Sequence, residues 1–488
     1  MMFLFKQISR MNMRTLIYII IILIYYSTSF TLAQDNTFLK TYVSGYPSSV
    51  IQDRNGDYLI IGNSTIPATG GPTGVRLIKV DHLGDTLWTK LYGSVDKNTE
   101  GTNIIETVDG NYIACGVVFT PAPHSSGFPE IILMKLNAFG DTLWWNSYGG
   151  YELSKDLLLN NDSIYVVGRN TDNGLLLKTD EDGKIIFNKK YSFGSGYTEF
   201  NSLKMIDDNN LFLFGSEGSF VSVDRVFSKY IICKTNLSGD SLSSVFFGDD
   251  SCEVFPNNMI KTLDGNFVFS GYTYNVSTQS YGEYLLLSMY NKNEEMIWEK
   301  RIESTPGKVA ATYDSGIVFY GRNQNGINLT KLNTEGNILW SREIPFPNAS
   351  EVYGEDIIET SDGGILVTGY VTYPNEQPEV FLLKTNSEGL LTIINIENTF
   401  PNSFVLSQNY PNPFNPSTKI SYSVPKTSFV AIKVYDVLGK EITTLVNGEK
   451  SVGDYEVEFN GRNLSSGVYF YKMQAGDFVE TKKLILMK

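Results

Sequence analysis

The sequence predicts an all-β protein, a seven-bladed β-propeller followed by a small Ig-like β-sandwich. Three features carry that expectation: a strand-and-turn unit that recurs seven times, a composition rich in Gly and aromatic residues, and a change of pattern near residue 397. Gly 43, Tyr 30 and Phe 29 in 488 residues are what aromatic-rich strands joined by tight turns require. Composition also excludes several functions. With 39 Lys+Arg against 53 Asp+Glu the net charge is -14, so no basic surface is available for phosphates and no nucleic-acid partner is expected. With 2 His and 3 Cys, neither a disulfide framework nor His-based metal or triad chemistry is indicated. No metal ligand, cofactor or catalytic residue is assigned.

Residues 1–33 read as a signal peptide. Lys6, Arg10 and Arg14 precede an uncharged stretch from Thr15 to Ala33, which ends in the small-residue site Thr31-Leu32-Ala33. Such a stretch approaches bilayer length. Ser27, Thr28, Ser29 and Thr31 dilute its end and no charged stop-transfer cluster follows, so no stable transmembrane span is expected. Removing these residues leaves 36 basic against 53 acidic side chains, or -17.

Residues 37–396 form the repeat region. One half of each unit is a turn and an apolar strand ending in Gly, at positions 62, 116, 168, 215, 271, 321 and 369, with a mean period of about 51 residues. The other half is a strand, a tight turn and a strand, with turns at Gly84, Gly140, Gly183, Gly239, Asn293-Glu294, Gly336 and Gly389. Each unit thus supplies four short antiparallel strands, the size of a propeller blade. The segment Thr37 to Tyr42 resembles the fourth strand of a unit and is placed to complete the last one.

All five Trp fall in one part of the repeat: Trp88, Trp144, Trp298 and Trp340 share a slot after the second turn, Trp145 is adjacent, and Phe187 takes the slot in the third unit. The Asp81, Gly84, Trp88 spacing resembles the tryptophan-docking motif of quinoprotein propellers, one residue shorter between Asp and Gly. Recurrence in several units points to packing between them. The shared pattern also resembles a widespread family of bacterial propeller-like repeats, which implies a fold and no activity.

Residues 397–488 are a separate module. Segments at 419–424, 430–435, 456–459, 467–473 and 482–487 alternate apolar and polar residues, with turns predicted at Leu438-Gly439 and Asn447-Gly448, as in a small sandwich. Its opening run is Asn409, Tyr410, Pro411, Asn412, Pro413, Phe414, Asn415, Pro416; Gly439, Gly467, Tyr469, Lys472, Lys482 and Lys483 follow. On these residues, positions 404–488 closely resemble the type A C-terminal sorting domain of the bacterial type IX secretion system. The resemblance implies recognition by that machinery, with delivery to the cell surface or release into the medium.

Function is expected on the disc face whose connections vary. Residues 63–74, 120–130, 216–228, 272–283 and 370–378 are long there, while 169–173 is short. Phe128, Phe220, Tyr272, Tyr274, Tyr281 and Tyr373 in those connections are candidates to contact a glycan or protein ligand. The competing expectation is a polysaccharide-acting hydrolase with a pair of loop carboxylates. Asp53, Asp109, Asp264 and Asp362 recur in turns, where Asx geometry explains them, and His82 and His124 read as solvated turn residues. Calcium loops are incomplete at Asp53 and Asp180. Cys115 and Cys233 lie in apolar strands, and a Cys233 to Cys252 bridge is left open.

Overall fold

The computed structural model describes residues 36–391 and 404–487, apart from 66–72, 95, 123–124, 195, 223–224, 249–251, 276–279, 304–306, 324–325, 375, 410, 426–427 and 451–452. The signal segment at 1–33 and His124 lie outside the described residues. No described residue is helical. Contacts divide the chain into two compact units, one holding Met1–Lys40 and Ser44–Thr392 and the other Thr41–Val43 and Ile393–Lys488.

In the first unit, described strands assemble into seven four-stranded sheets. Sheets one to six take their strands in chain order, spanning residues 46–92, 98–148, 152–191, 197–247, 252–303 and 309–345. Sheet seven takes three strands in order, Glu351–Glu359, Ile365–Thr372 and Glu379–Thr385, and its fourth from the other end of the chain, Phe38–Ser44. First strands of successive sheets pack against one another, and Glu351–Glu359 packs against Tyr46–Gln52 of sheet one, so the contacts close into a cycle.

The middle strands are continuous apolar runs because neighbouring sheets cover both of their faces. Leu59, Ile61, Val75 and Leu77 of sheet one share a core with Ile104, Tyr112, Ala114 and Ile132 of sheet two, all at most 1% exposed. At about 25 cal/mol per Å² of apolar surface, such faces hold the array together.

The recurrent glycine lies inside the second strand, which runs on past it instead of ending there as expected, and in six sheets it has a specific cause. In six sheets the first strand carries a bulge, at Pro47/Ser49, Gly101/Asn103, Ser154/Asp156, Phe200/Ser202, Pro256/Met259 and Gly354/Asp356, and the residue before each bulge pairs with Gly62, Gly116, Gly168, Gly215, Gly271 or Gly369. There the first-strand backbone closes on the second: a Cβ on Gly168 would lie 1.7 Å from the Leu153 carbonyl oxygen. Only glycine accepts that approach.

Aromatic docking joins one sheet to the next. A Cβ on Gly140, at φ 78°, would meet Trp88 at 2.9 Å; Gly183 likewise faces Trp144, Gly239 faces Phe187, Gly336 faces Trp298 and Gly389 faces Trp340. Phe38 takes the slot over Gly84, so the N-terminal strand serves sheet one as each fourth strand serves its successor. Between sheets four and five the device changes. Ser243 Oγ donates to the Glu294 carboxylate at 2.6 Å, and Glu294 itself holds φ 66° where the other turns have glycine. The slot is therefore a packing feature, as its recurrence implies.

Asp362 and Asp314 bind within their own sheets, and Asp53 also reaches Tyr112 of sheet two. Asp362 accepts the Thr360 hydroxyl and the ammonium of Lys384 at 2.6 Å, with Lys384 only 2% exposed. Asp314 repeats this with Thr312 and Lys331 at 2.7 Å. In sheet one Lys79 sits 2.9 Å from Asp53 and 3.3 Å from Asp57. Burial opposes the charged form of Asp53, but hydrogen bonds from Lys79 and Tyr112 outweigh it and hold the carboxyl below its ordinary range. No two cysteines are bridged among the described residues: Cys115, Cys233 and Cys252 are all buried thiols.

The second unit holds a three-stranded sheet, Val405–Leu406, Ser417–Val424 and Gly453–Asn460, and a four-stranded one, Glu441–Lys450, Ser428–Tyr435, Gly467–Ala475 and Phe478–Leu486. Ile420 and Tyr422 of one and Val430, Ile432, Tyr471 and Leu484 of the other share a single core. The turn predicted at Asn447-Gly448 is not there. Glu441–Lys450 runs through it, with Asn447 opposite Ala431 and Gly448 opposite Val430. Pairing along the whole of the neighbouring strand overrides the local turn preference.

Candidate functional site

The bulges set the chemistry at the centre of the cycle. Five of them push one first-strand residue out of register and re-aim the next, and in sheet five two residues, Asn257 and Asn258, are displaced. Asp156 thereby accepts Asn103 Nδ2 at 2.6 Å from sheet two, and Ser202 Oγ at 2.9 Å and the Leu203 N–H at 3.1 Å from sheet four. Asp356 accepts Ser49 Oγ at 2.8 Å and the Val50 N–H at 3.0 Å from sheet one. Asn258 and Val309 exchange two hydrogen bonds between sheets five and six. Lys308 adds contacts to Asp356 at 3.3 Å and to the Ser48 carbonyl at 3.0 Å. These bonds tie first strands together with little freedom left. Beside them burial pushes the Glu355 carboxyl up to about 7, with the Asp356 charge adding and Lys308 opposing.

A cleft of about 600 Å³ opens over the first strands of sheets three, four and five, Glu152–Asn160, Tyr197–Asp207 and Cys252–Lys261. Bulge residues Lys155, Asn201 and Asn257 line it, with Tyr197, Glu199, Glu253 and Phe255 from the same strands and Arg169, Ser216 and Tyr272 from the adjacent ones. Glu199 lies 3.1 Å from Lys155 and 3.9 Å from Arg169. Phe255 and Tyr272 stand opposite each other in register and stack at 4.8 Å with an interplanar angle of 12°. The Tyr272 carbonyl accepts the Tyr230 hydroxyl at 2.8 Å, which fixes that wall. No donor reaches the Glu253 carboxylate among the described residues, and burial raises its pKa. Asn201 Oδ1 is buried without a hydrogen-bond partner.

Of the predicted contact aromatics, Tyr272 lines this cleft. Tyr274 stands opposite Tyr281 across a strand pair, Phe128 opposite Thr120 and Phe220 opposite Val226. Tyr373 packs against the core of sheets six and seven. Two of the long connections expected around these residues are largely strand, Tyr112–Ala122 pairing back on Ser125–Leu136 and Asn210–Ser222 on Arg225–Asn236, whereas the described residues of 373–378 are not strand. Strand pairing runs on to Ala122 opposite Ser125 and to Ser222 opposite Arg225. Lys155, Glu199, Glu253 and Phe255 were missed by sequence reasoning: nothing local marks Lys155 as the bulge residue, and nothing local says that the first strands of three sheets border one cleft.

Comparison with known proteins bears on the two units unequally. Residues 408–487 match the family model for the secretion system C-terminal sorting domain. The tail is a sorting domain of that family. It marks the chain for type IX secretion, and so for the cell surface or the medium. Among the described residues no helix is long and apolar enough to cross a membrane. No curated protein matches the chain. Among solved structures, polysaccharide lyase Uly1 is 11% identical with a TM-score of 0.47, covering 70% of this chain and 90% of its own. The α-L-arabinanase of Penicillium chrysogenum complexed with arabinobiose is 13% identical, with a TM-score of 0.42 and coverage of 72% and 100%. Drosophila Plexin A in complex with Semaphorin 1b is 9% identical, with a TM-score of 0.42 and coverage of 72% and 87%. Similarity at this level says nothing of what this chain binds or does.

In the sorting domain the Asn/Pro-rich run straps the fold along its last strand. Asn412 donates to the Lys483 carbonyl at 3.2 Å and accepts the Ile485 N–H at 2.9 Å, and Phe414, 2% exposed, exchanges backbone bonds with Ile485 and Met487. Buried Asn409 donates to Thr418 Oγ1 and the Pro411 carbonyl, while its N–H meets the Tyr471 hydroxyl at 2.9 Å. Pro413 and Pro416 follow cis peptide bonds. Tyr410 lies outside the described residues. Gly439 turns at φ 80° over Asp436, Gly467 opens a strand, and the Tyr469 hydroxyl donates to the Ser465 carbonyl. Lys472 stands opposite Lys433, Lys483 opposite Phe470, and Lys482 pairs with Glu480 at 2.9 Å.

Proposed function

We propose that this is an exported binding protein: a signal peptide at 1–33, a seven-bladed propeller at 37–396 and an Ig-like sorting sandwich at 397–488. The propeller binds an extracellular glycan or protein on the face where second strands run into third strands. The sorting domain carries the export half of this reading, since such a domain has no use on a chain that stays inside. Seven sheets in a closed cycle of contacts, with the N-terminal strand supplying the last edge, support the blade count. Truncation after residue 396 tests the export half: the shortened protein is expected to accumulate inside the cell, and undiminished extracellular protein would refute it.

A second reading, a polysaccharide-acting hydrolase, draws on Glu199 and Glu253, two carboxylates in one cleft. Release of reducing ends from a polysaccharide by the purified protein, lost in Glu253→Gln, would decide for it.

A further inference from the structure

We infer that the cleft over sheets three to five is a saccharide site selective for non-anionic glycan chains. The inference rests on the binding reading above and names its ligand class. The cleft has an aromatic wall: Phe255 and Tyr272 are only partly buried and locked in register, and the flat C–H face of a pyranose ring packs on such a surface. At about 600 Å³ it lies within the range of small-ligand clefts.

The polar groups choose the ligand. Lys155 and Arg169 are the cations of the lining and both already face Glu199. The lining carboxylates are Asp172, Glu199 and Glu253, so three negative charges stand against two positive ones. A uronate or sulfated chain would meet a net negative cleft whose cations are engaged. The unmet acceptor that faces the cleft is the half-buried Glu253 carboxylate, which no donor reaches among the described residues. A partly desolvated carboxylate without a protein donor gains from a ligand or water that supplies O–H or N–H. Sugar hydroxyls do so while the ring face meets Phe255.

The test titrates the full chain with cellohexaose, a chitosan hexamer and oligogalacturonate by calorimetry. Cellohexaose or the chitosan hexamer is expected to bind, and oligogalacturonate to bind at least roughly tenfold more weakly. Phe255→Ala and Glu253→Gln should each weaken binding several-fold. Phe255→Leu, which keeps apolar bulk, separates loss of the aromatic face from loss of fold, with far-UV circular dichroism as the control. Preferred binding of oligogalacturonate, or no binding by any of the three, overturns the site. Binding that survives Phe255→Ala but is lost when the hairpin tip at 219–226 is shortened overturns the cleft and leaves the binding face standing. Binding indifferent to both changes overturns both.

Discussion

Phe38→Ala tests whether the N-terminal strand holds the cycle of sheets closed. Phe38 is 7% exposed, its ring lies over Gly84 and its centroid is 6.2 Å from that of Tyr58. Truncating a buried Phe costs about 3–5 kcal/mol where the surroundings cannot collapse, and an edge strand relaxes partly, so about 3 kcal/mol is expected. The neighbouring Lys40 to Asp85 pair is a useful contrast. Asp85 is 70% exposed at its side chain, so Lys40→Ala should cost less than about 1 kcal/mol. Urea unfolding of the full chain, followed by intrinsic fluorescence, measures both. Deleting residues 34–44 should cost more than either substitution and promote association, because it uncovers the hydrogen-bonding edge of Glu379–Thr385. The reasoning fails if Phe38→Ala costs no more than Lys40→Ala.

Gly168→Ala should abolish or strongly depress folded yield, since its Cβ would sit 1.7 Å from a backbone oxygen; soluble expression and thermal melting read this, and a melting temperature near wild type would refute the bulge explanation. Glu355→Gln should stabilise the protein at pH 8 by about 1–3 kcal/mol and lose that advantage near pH 4. The sign follows from its raised folded value of about 7: the folded state holds a proton that the unfolded state has lost, so wild-type stability falls as pH rises from the ordinary carboxylate range to about 7. Glu359, pushed up to about 6 by burial, keeps part of the slope in the variant, and denaturant midpoints across pH 4 to 8 measure the difference.

The repeat was legible in the sequence because its two glycines answer to two hard constraints. Gly140 and its equivalents combine positive φ with an aromatic ring from the preceding sheet, and Gly168 and its equivalents meet a carbonyl that a bulge pushes against them. The likeness of residues 37–42 to residues 89–92 exposed the N-terminal strand, while Phe38 in the slot over Gly84 was seen only in the geometry. The cleft was not legible. A bulge adds one residue without a local signature, so nothing distinguished Lys155 or Asn201 from other strand residues. Connections were misjudged for a related reason. Small residues such as Ser125, Ser126 and Ser228 suggest loops, yet pairing with the opposite strand draws them into hairpins. In the tail, the strap from Asn409 to Pro416 was recognised as a motif, while its work as an internal fastening of Phe414 and Asn412 to the last strand needed the geometry.

Sheet seven has a consequence for the order of folding. Sheets one to six each form from one continuous stretch of chain, so their strands meet by local hairpin closure. Sheet seven alone must bring residues 38–44 to residues 379–385, across the whole repeat region. The loop entropy of that step rises only logarithmically with length, but its rate depends on both chain ends being present. The cycle is therefore a clasp, and a chain presented from its N-terminus can close six sheets while the seam stays open until residues 379–385 arrive.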